Sequence, residues 1–107
     1  MAKYLFQGSY VGDGLKGLVR EGGTPRIDAA KKLFASLGGK LECFYFAFGT
    51  EDLVVICDLP DNVSALAFSL AINTSGMAKG HVTVLATAEE VDAAVKKTPQ
   101  YRAPGQS

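Results

Sequence analysis

The sequence predicts an α+β fold in the order β-α-β-β-α-β, followed by a C-terminal helix. Three observations carry that prediction. Short runs rich in aromatic and β-branched residues occur at 3–10, 40–47, 52–58 and 79–86. Segments with helical apolar spacing separate the first run from the second, and the third from the fourth. Gly22-Gly23, Gly38-Gly39, Pro60, Gly76 and Pro99 punctuate the junctions. This order is the split βαβ, or ferredoxin-like, arrangement, with a four-stranded antiparallel sheet and both main helices on one face.

KYLFQGSY, residues 3–10, reads as the first strand. In residues 12–23, Leu15, Leu18 and Val19 have helical spacing, which predicts a short helix stopped by Gly22-Gly23. Thr24-Pro25 opens the next helix, threonine as N-cap and proline at the first helical position, where its missing N–H costs nothing. Ile27, Ala30, Leu33, Phe34 and Leu37 form its apolar stripe. KLECFYFA and DLVVICD are strands joined through Gly49-Thr50-Glu51-Asp52. Asp61 is placed to cap the following helix, with Val63, Leu66, Ala67, Leu70 and Ala71 as its inward stripe. After the strand KGHVTVLA, Thr87 to Glu90 spell a capping box, and Lys96-Lys97 sit at the end of the last helix, where cations are favoured. The expected organisation is one domain over 1–98 and a polar tail over 99–107.

Composition narrows the function classes. With 107 residues the chain makes one domain, and a chain this size needs no metal or disulfide to fold. Lys and Arg number 11, as do Asp and Glu, so there is no basic field to hold nucleic acid. No apolar run approaches the ~18 residues of a membrane span, and MAKYLFQGSYVGDG lacks a signal-peptide core. The expectation is a cytoplasmic protein in which Cys43 and Cys57 are small core residues. Asn62-Val63-Ser64 and Asn73-Thr74-Ser75 match the glycosylation acceptor pattern, which has no consequence there.

The strands are apolar on both alternate sets. Leu53, Val55, Cys57 and Val54, Ile56 are the clearest case. Helices on one side would leave the second face open, and an open apolar face is normally covered. That predicts a homo-oligomer, or a small-molecule pocket between the sheet and its cover. Gln7, Ser9, Glu42 and His81 are among the candidate polar groups there. Which set faces which side stays open, because a slip of one residue exchanges them.

Other motifs are weaker. Gly12-Asp13-Gly14-Leu15-Lys16-Gly17 fits G-x-G-x-x-G, but the segment order is not a doubly wound parallel sheet. His81 is the single histidine, too few for a three-ligand metal site, though one suffices for haem. The cysteines oppose each other only if Phe48 pairs with Asp52. Arg20, Lys16 and Arg26 flank the glycine break and could hold an anion near a helix N-terminus. Tyr101-Arg102-Ala103-Pro104-Gly105 carries an aromatic and a proline that a disordered end rarely needs, which predicts that Tyr101 docks on its own domain or a neighbour.

Ser36-Leu37-Gly38-Gly39-Lys40-Leu41-Glu42, Phe44-Tyr45-Phe46-Ala47-Phe48-Gly49 and Asp58-Leu59-Pro60-Asp61-Asn62 resemble the GYD domain family. Arg20-Glu21-Gly22-Gly23 and Tyr101 to Gly105 look like it too. The resemblance implies a dimeric α/β-barrel protein of the ferredoxin-like class and brings no established activity. It also implies Phe-Gly-X-Tyr-Asp at the second turn; here Gly49 and Asp52 match and Glu51 stands in place of the tyrosine. The expected function is non-catalytic: small-molecule binding or assembly, with no cofactor, and Gln7, Tyr45, Asp52 and His81 as site candidates. The alternative is a cofactor-independent or haem-using enzyme, an oxygenase or isomerase, with its pocket on the sheet face.

Overall fold

A computed structural model describes residues 1–106; Ser107, the end of the expected tail, lies outside the described residues. The elements are β1 (Ala2–Tyr10), α1 (Gly12–Glu21), α2 (Thr24–Ser36), β2 (Lys40–Phe46), β3 (Leu53–Leu59), α3 (Asn62–Thr74), β4 (Ala78–Leu85) and α4 (Ala88–Ala94). The four strands form one sheet in the order β2-β3-β1-β4, every neighbour antiparallel. This is the predicted ferredoxin-like order, with β1 as a central strand paired to both β3 and β4.

Strand alternation decides the faces. Tyr4 and Phe6 of β1 and Leu53, Val55, Cys57 and Leu59 of β3 are buried, and they pair across the ladder as Tyr4 with Cys57 and Phe6 with Val55. Phe34 of α2 and Ala65 and Phe68 of α3 close over them. The ring of Phe68 meets Phe6 edge-on at 5.1 Å and Phe34 at 4.9 Å, so one aromatic joins both helices to the sheet. The Tyr4 hydroxyl, buried in this core, donates to Asn62 Oδ1 at 2.7 Å and pins the start of α3.

Two local expectations change. Thr24 is the first residue of α2 and not its N-cap; Gly23 holds that position with no side-chain bond, and the Phe46 ring packs closely against it. The second concerns α3. Val63, Leu66, Ala67, Leu70 and Ala71 point outward, while Ala65, Phe68 and Ile72 face the sheet. The segment NVSALAFSLAINT is apolar nearly all round, so its spacing permits either face. Phe68, the largest side chain of the segment, sets the rotation by filling the space between Phe6 and Phe34.

Other junctions hold as expected. The Asp61 carboxylate accepts from the Ser64 N–H at 2.8 Å, and Thr87 and Glu90 form a full capping box. Gly14 brings α1 against the Met77 carbonyl so closely that a Cβ would collide with its oxygen. The glycine pattern at 12–17 therefore contains one obligatory glycine, fixed by packing against the chain entering β4.

From Ala86 to Arg102 every residue is exposed, so α4 and the tail form an arm standing off the body. The radius of gyration is 17.2 Å and the longest extent 60 Å. A compact domain of this size has a radius of about 13 Å.

Candidate functional site

Two regions have the shape or chemistry of a site, one on each side of the sheet. On the helix side a cavity of about 100 Å³ lies between α2, α3 and the sheet. Its walls are apolar, with Phe6, Leu33, Phe44 and Ile72 among them, and Tyr10 and Arg26 are its polar residues. The β-alternation that buries Phe6 also aims Tyr10, two pleats further along β1, at this side. Arg26 belongs to the first turn of α2, a turn with no acidic residue. Among the described residues no carboxylate lies within ion-pair reach of Arg26. Of the three cations the sequence flagged for an anion, Arg26 alone reaches this cavity; Lys16 and Arg20 stand exposed on α1.

On the open side the register lines up the sequence candidates. Tyr45 pairs with Val54, Val54 with Gln7, and Gln7 with His81, so Tyr45, Gln7 and His81 lie in one row across all four strands. Leu5 and Ile56 pair in the next row, with Cys43 beside Ile56. No helix covers this face. His81, Ser9, Lys79 and Glu51 border an open hollow of about 290 Å³ that wraps the free edge of β4. One histidine can ligate haem iron, but in a single chain His81 is exposed with no opposite wall, so one chain offers no haem pocket.

Asp52 is not in that row. It closes the β2–β3 turn: its N–H donates to the Gly8 carbonyl at 2.9 Å, and its carboxylate accepts from the Tyr10 N–H at 3.0 Å. It therefore latches the turn to the end of β1 and holds Tyr10, which lines the cavity, in place. The Ala47 N–H bonds the Asp52 carbonyl at 2.7 Å, leaving Phe48 to Glu51 as the loop, with Phe48 wholly exposed. A bulge at Glu42 shifts the register between Leu41 and Cys43, so Leu41 pairs with Cys57 and Cys43 with Ile56. The cysteines thus lie on opposite faces.

The bulge has an electrostatic partner. Lys3 Nζ reaches Glu42 at 2.5 Å and Asp58 at 3.0 Å, tying the three antiparallel strands together at one end. These two hydrogen bonds, Glu42 first, hold the Lys3 ammonium above its usual pKa. Burial pushes the Cys57 thiol up to about 11, with the neighbouring Asp58 charge adding to it, so it is no nucleophile. Among the described residues no cluster of three metal-ligating side chains occurs.

The strand pattern and the sheet order fit the ferredoxin-like class that the sequence resemblance implied, and the GYD domain family model matches residues 4–95. The chain belongs to the GYD domain family. No match was found among curated proteins or among solved structures. In this GYD domain Glu51, the residue standing where a tyrosine was implied, accepts a long 3.3 Å bond from the Ser9 hydroxyl, whereas Asp52 fastens the turn and Gly49 stands in open space with room for a side chain. Tyr10 was not singled out from the sequence, and the only signal was its alternation with Phe6.

Proposed function

We propose that this GYD domain is a non-catalytic binding protein for a small apolar anion, working as a homo-oligomer. The observation that carries this reading is the apolar cavity between the helices and the sheet, with Arg26 in its wall and no carboxylate to neutralise it. An engineered apolar cavity of about 150 Å³ takes benzene, so this one, at about 100 Å³, suits a shorter chain of about four carbons. The forked donors of a guanidinium match a carboxylate, which makes a short monocarboxylate the chemical class expected. Tyr10, whose side chain carries a hydroxyl donor, lines the same cavity.

The oligomeric half of the reading is supported by the open sheet face. Leu5, Val54, Ile56, Cys43 and Leu85 share it by register and are only half-buried in one chain. A second copy laid face to face would cover them and close the Tyr45–Gln7–His81 row into a chamber.

Nuclear magnetic resonance titration with butyrate, pentanoate and the matching alcohols tests the ligand class. The acids are expected to shift Tyr10 and Ile72 signals, the alcohols far less, and Arg26→Gln should remove the difference. Equal responses to acid and alcohol would sink the anion reading. A second reading, a cofactor-independent enzyme using the open face, is favoured by the alignment of Tyr45, Gln7 and His81 in one row. It requires His81→Ala to abolish a turnover that Arg26→Gln leaves intact.

A further inference from the structure

Two exposed apolar surfaces remain that neither the cavity nor the open sheet face uses. The first is the outer stripe of α3. Val63, Leu66, Ala67, Leu70 and Ala71 follow helical spacing along one face, and all stand in solvent, Val63 at 76% and Leu66 at 58% exposure. No charged residue occurs anywhere in Asn62–Thr74 to keep that face solvated. Beside it runs an open groove of about 380 Å³ whose walls include Ala65, Leu66, Val82 and Val84.

The second surface is on the C-terminal arm. By helical spacing Ala88, Val91, Ala94 and Val95 share one face of α4, while Glu89, Glu90 and Asp92 lie off it. Val91 and Val95 are 52% and 73% exposed, and Tyr101 beyond them is 79% exposed. A helix of 7 residues packed against nothing is not stable in water, where isolated helices shorter than about 12–15 residues are marginal even in favourable sequences. The capping box supports only the first turn. The arm therefore needs a surface, and its own body does not supply one: β4 ends at Leu85, Thr87 already caps α4, and this short junction directs the helix outward.

We infer that two copies exchange C-terminal arms, the apolar face of α4 and Tyr101 from each copy seating on the α3 stripe and the α3–β4 groove of the other. The occupant is a second copy because both halves of the contact are written in one chain. A two-fold exchange covers each arm and each stripe at once, whereas any unrelated partner would leave one of them bare. The size fits: residues 86–106 together with the α3 stripe reach the roughly 20–30 residues a side of a stable interface. The inference rests on the homo-oligomeric half of the reading above and is independent of the ligand.

Isotope-labelled chain with a photo-crosslinker at position 91 is mixed with excess unlabelled chain and irradiated. Adducts joining the labelled arm to unlabelled peptides spanning 63–71 are expected. Adducts confined to the labelled chain itself, or formed with any other surface, overturn the inference. The Leu5→Lys chain, whose open sheet face is disturbed so that only the arm contact can hold two copies, is then weighed by light scattering with and without the Val91→Asp/Val95→Asp substitutions. The variant carrying them should fall to half the parent mass with unchanged melting of the body, because both valines are solvent-exposed in the single chain; an equal mass overturns the proposal. Leu5→Lys, which disturbs only the open sheet face, should keep the arm adducts, so failure of the sheet-face contact is read separately.

Discussion

At position 52 one residue joins the β2–β3 turn to β1, its carboxylate through one bond and its backbone N–H through another. Asp52 fastens the β2–β3 turn to β1 through the Gly8 carbonyl and the Tyr10 N–H, while its neighbour Glu51 makes one long bond to Ser9. Asp52→Ala should cost about 1.5–3 kcal/mol, the range for losing a hydrogen bond to a charged group. Glu51→Tyr, which restores the residue the family resemblance implies, should stay within about 0.5 kcal/mol, because it removes only one long bond at a partly buried turn position outside the core. Urea denaturation of the two variants checks both numbers; equal losses would remove the distinction between latch and bystander. Gly49 and Asp52 were legible in the sequence as turn residues. The latch to Tyr10 was not, since the partner lies 42 residues away and no local pattern encodes it.

At the scale of elements, strands were the most legible because their alternation is built into the pleat. Leu53, Val55 and Cys57 form one set by alternation alone, and in the folded chain they make one buried face, which Leu59 extends. The α3 segment defeated the same logic: a helix apolar on most sides gives no phase, and the choice was made by Phe6 and Phe34 in distant elements. The Glu42 bulge was equally hidden, because the Lys3 ammonium it meets lies 39 residues away across the sheet. The rotation of α3 yields a direct test. Phe68→Ala should cost about 3–5 kcal/mol as a core aromatic truncation. Leu66→Ala, a core change on the sequence reading, should cost the isolated body less than about 0.5 kcal/mol. Thermal melts of both changes, made in a chain lacking residues 88–107 so that no arm contact contributes, separate the two phases.

For the whole molecule, stability against pH combines terms of opposite location. The unfolded Cys57 thiol ionises near 9.0, and burial holds the folded one to about 11. Lys3 likewise keeps its proton to higher pH when folded, because of Glu42 and Asp58. Both contributions are complete below the unfolded values and are lost as pH rises through the folded ones. Asp61 works in the other direction: the Ser64 N–H lowers its pKa, so its share is present above the ordinary carboxylate value and is lost on acidification. Denaturation midpoints should therefore fall as pH rises from about 9 to 11, and Cys57→Ala should flatten that fall. A midpoint constant across that range would contradict the assignment. No helix of the described residues is long and apolar enough to cross a membrane.

The central place of β1 has a further consequence for how the protein is made. The first strand synthesised is the one that pairs on both sides with segments far downstream, Lys3 with Asp58 and with Leu85. At about 5–20 residues per second, several seconds pass on the ribosome before β4 exists. Through that interval KYLFQGSY has no native neighbour on one edge, and its tyrosines, phenylalanine and leucine are open to any other nascent strand. The order of translation thus makes β1 the segment that a holding chaperone would be expected to shield.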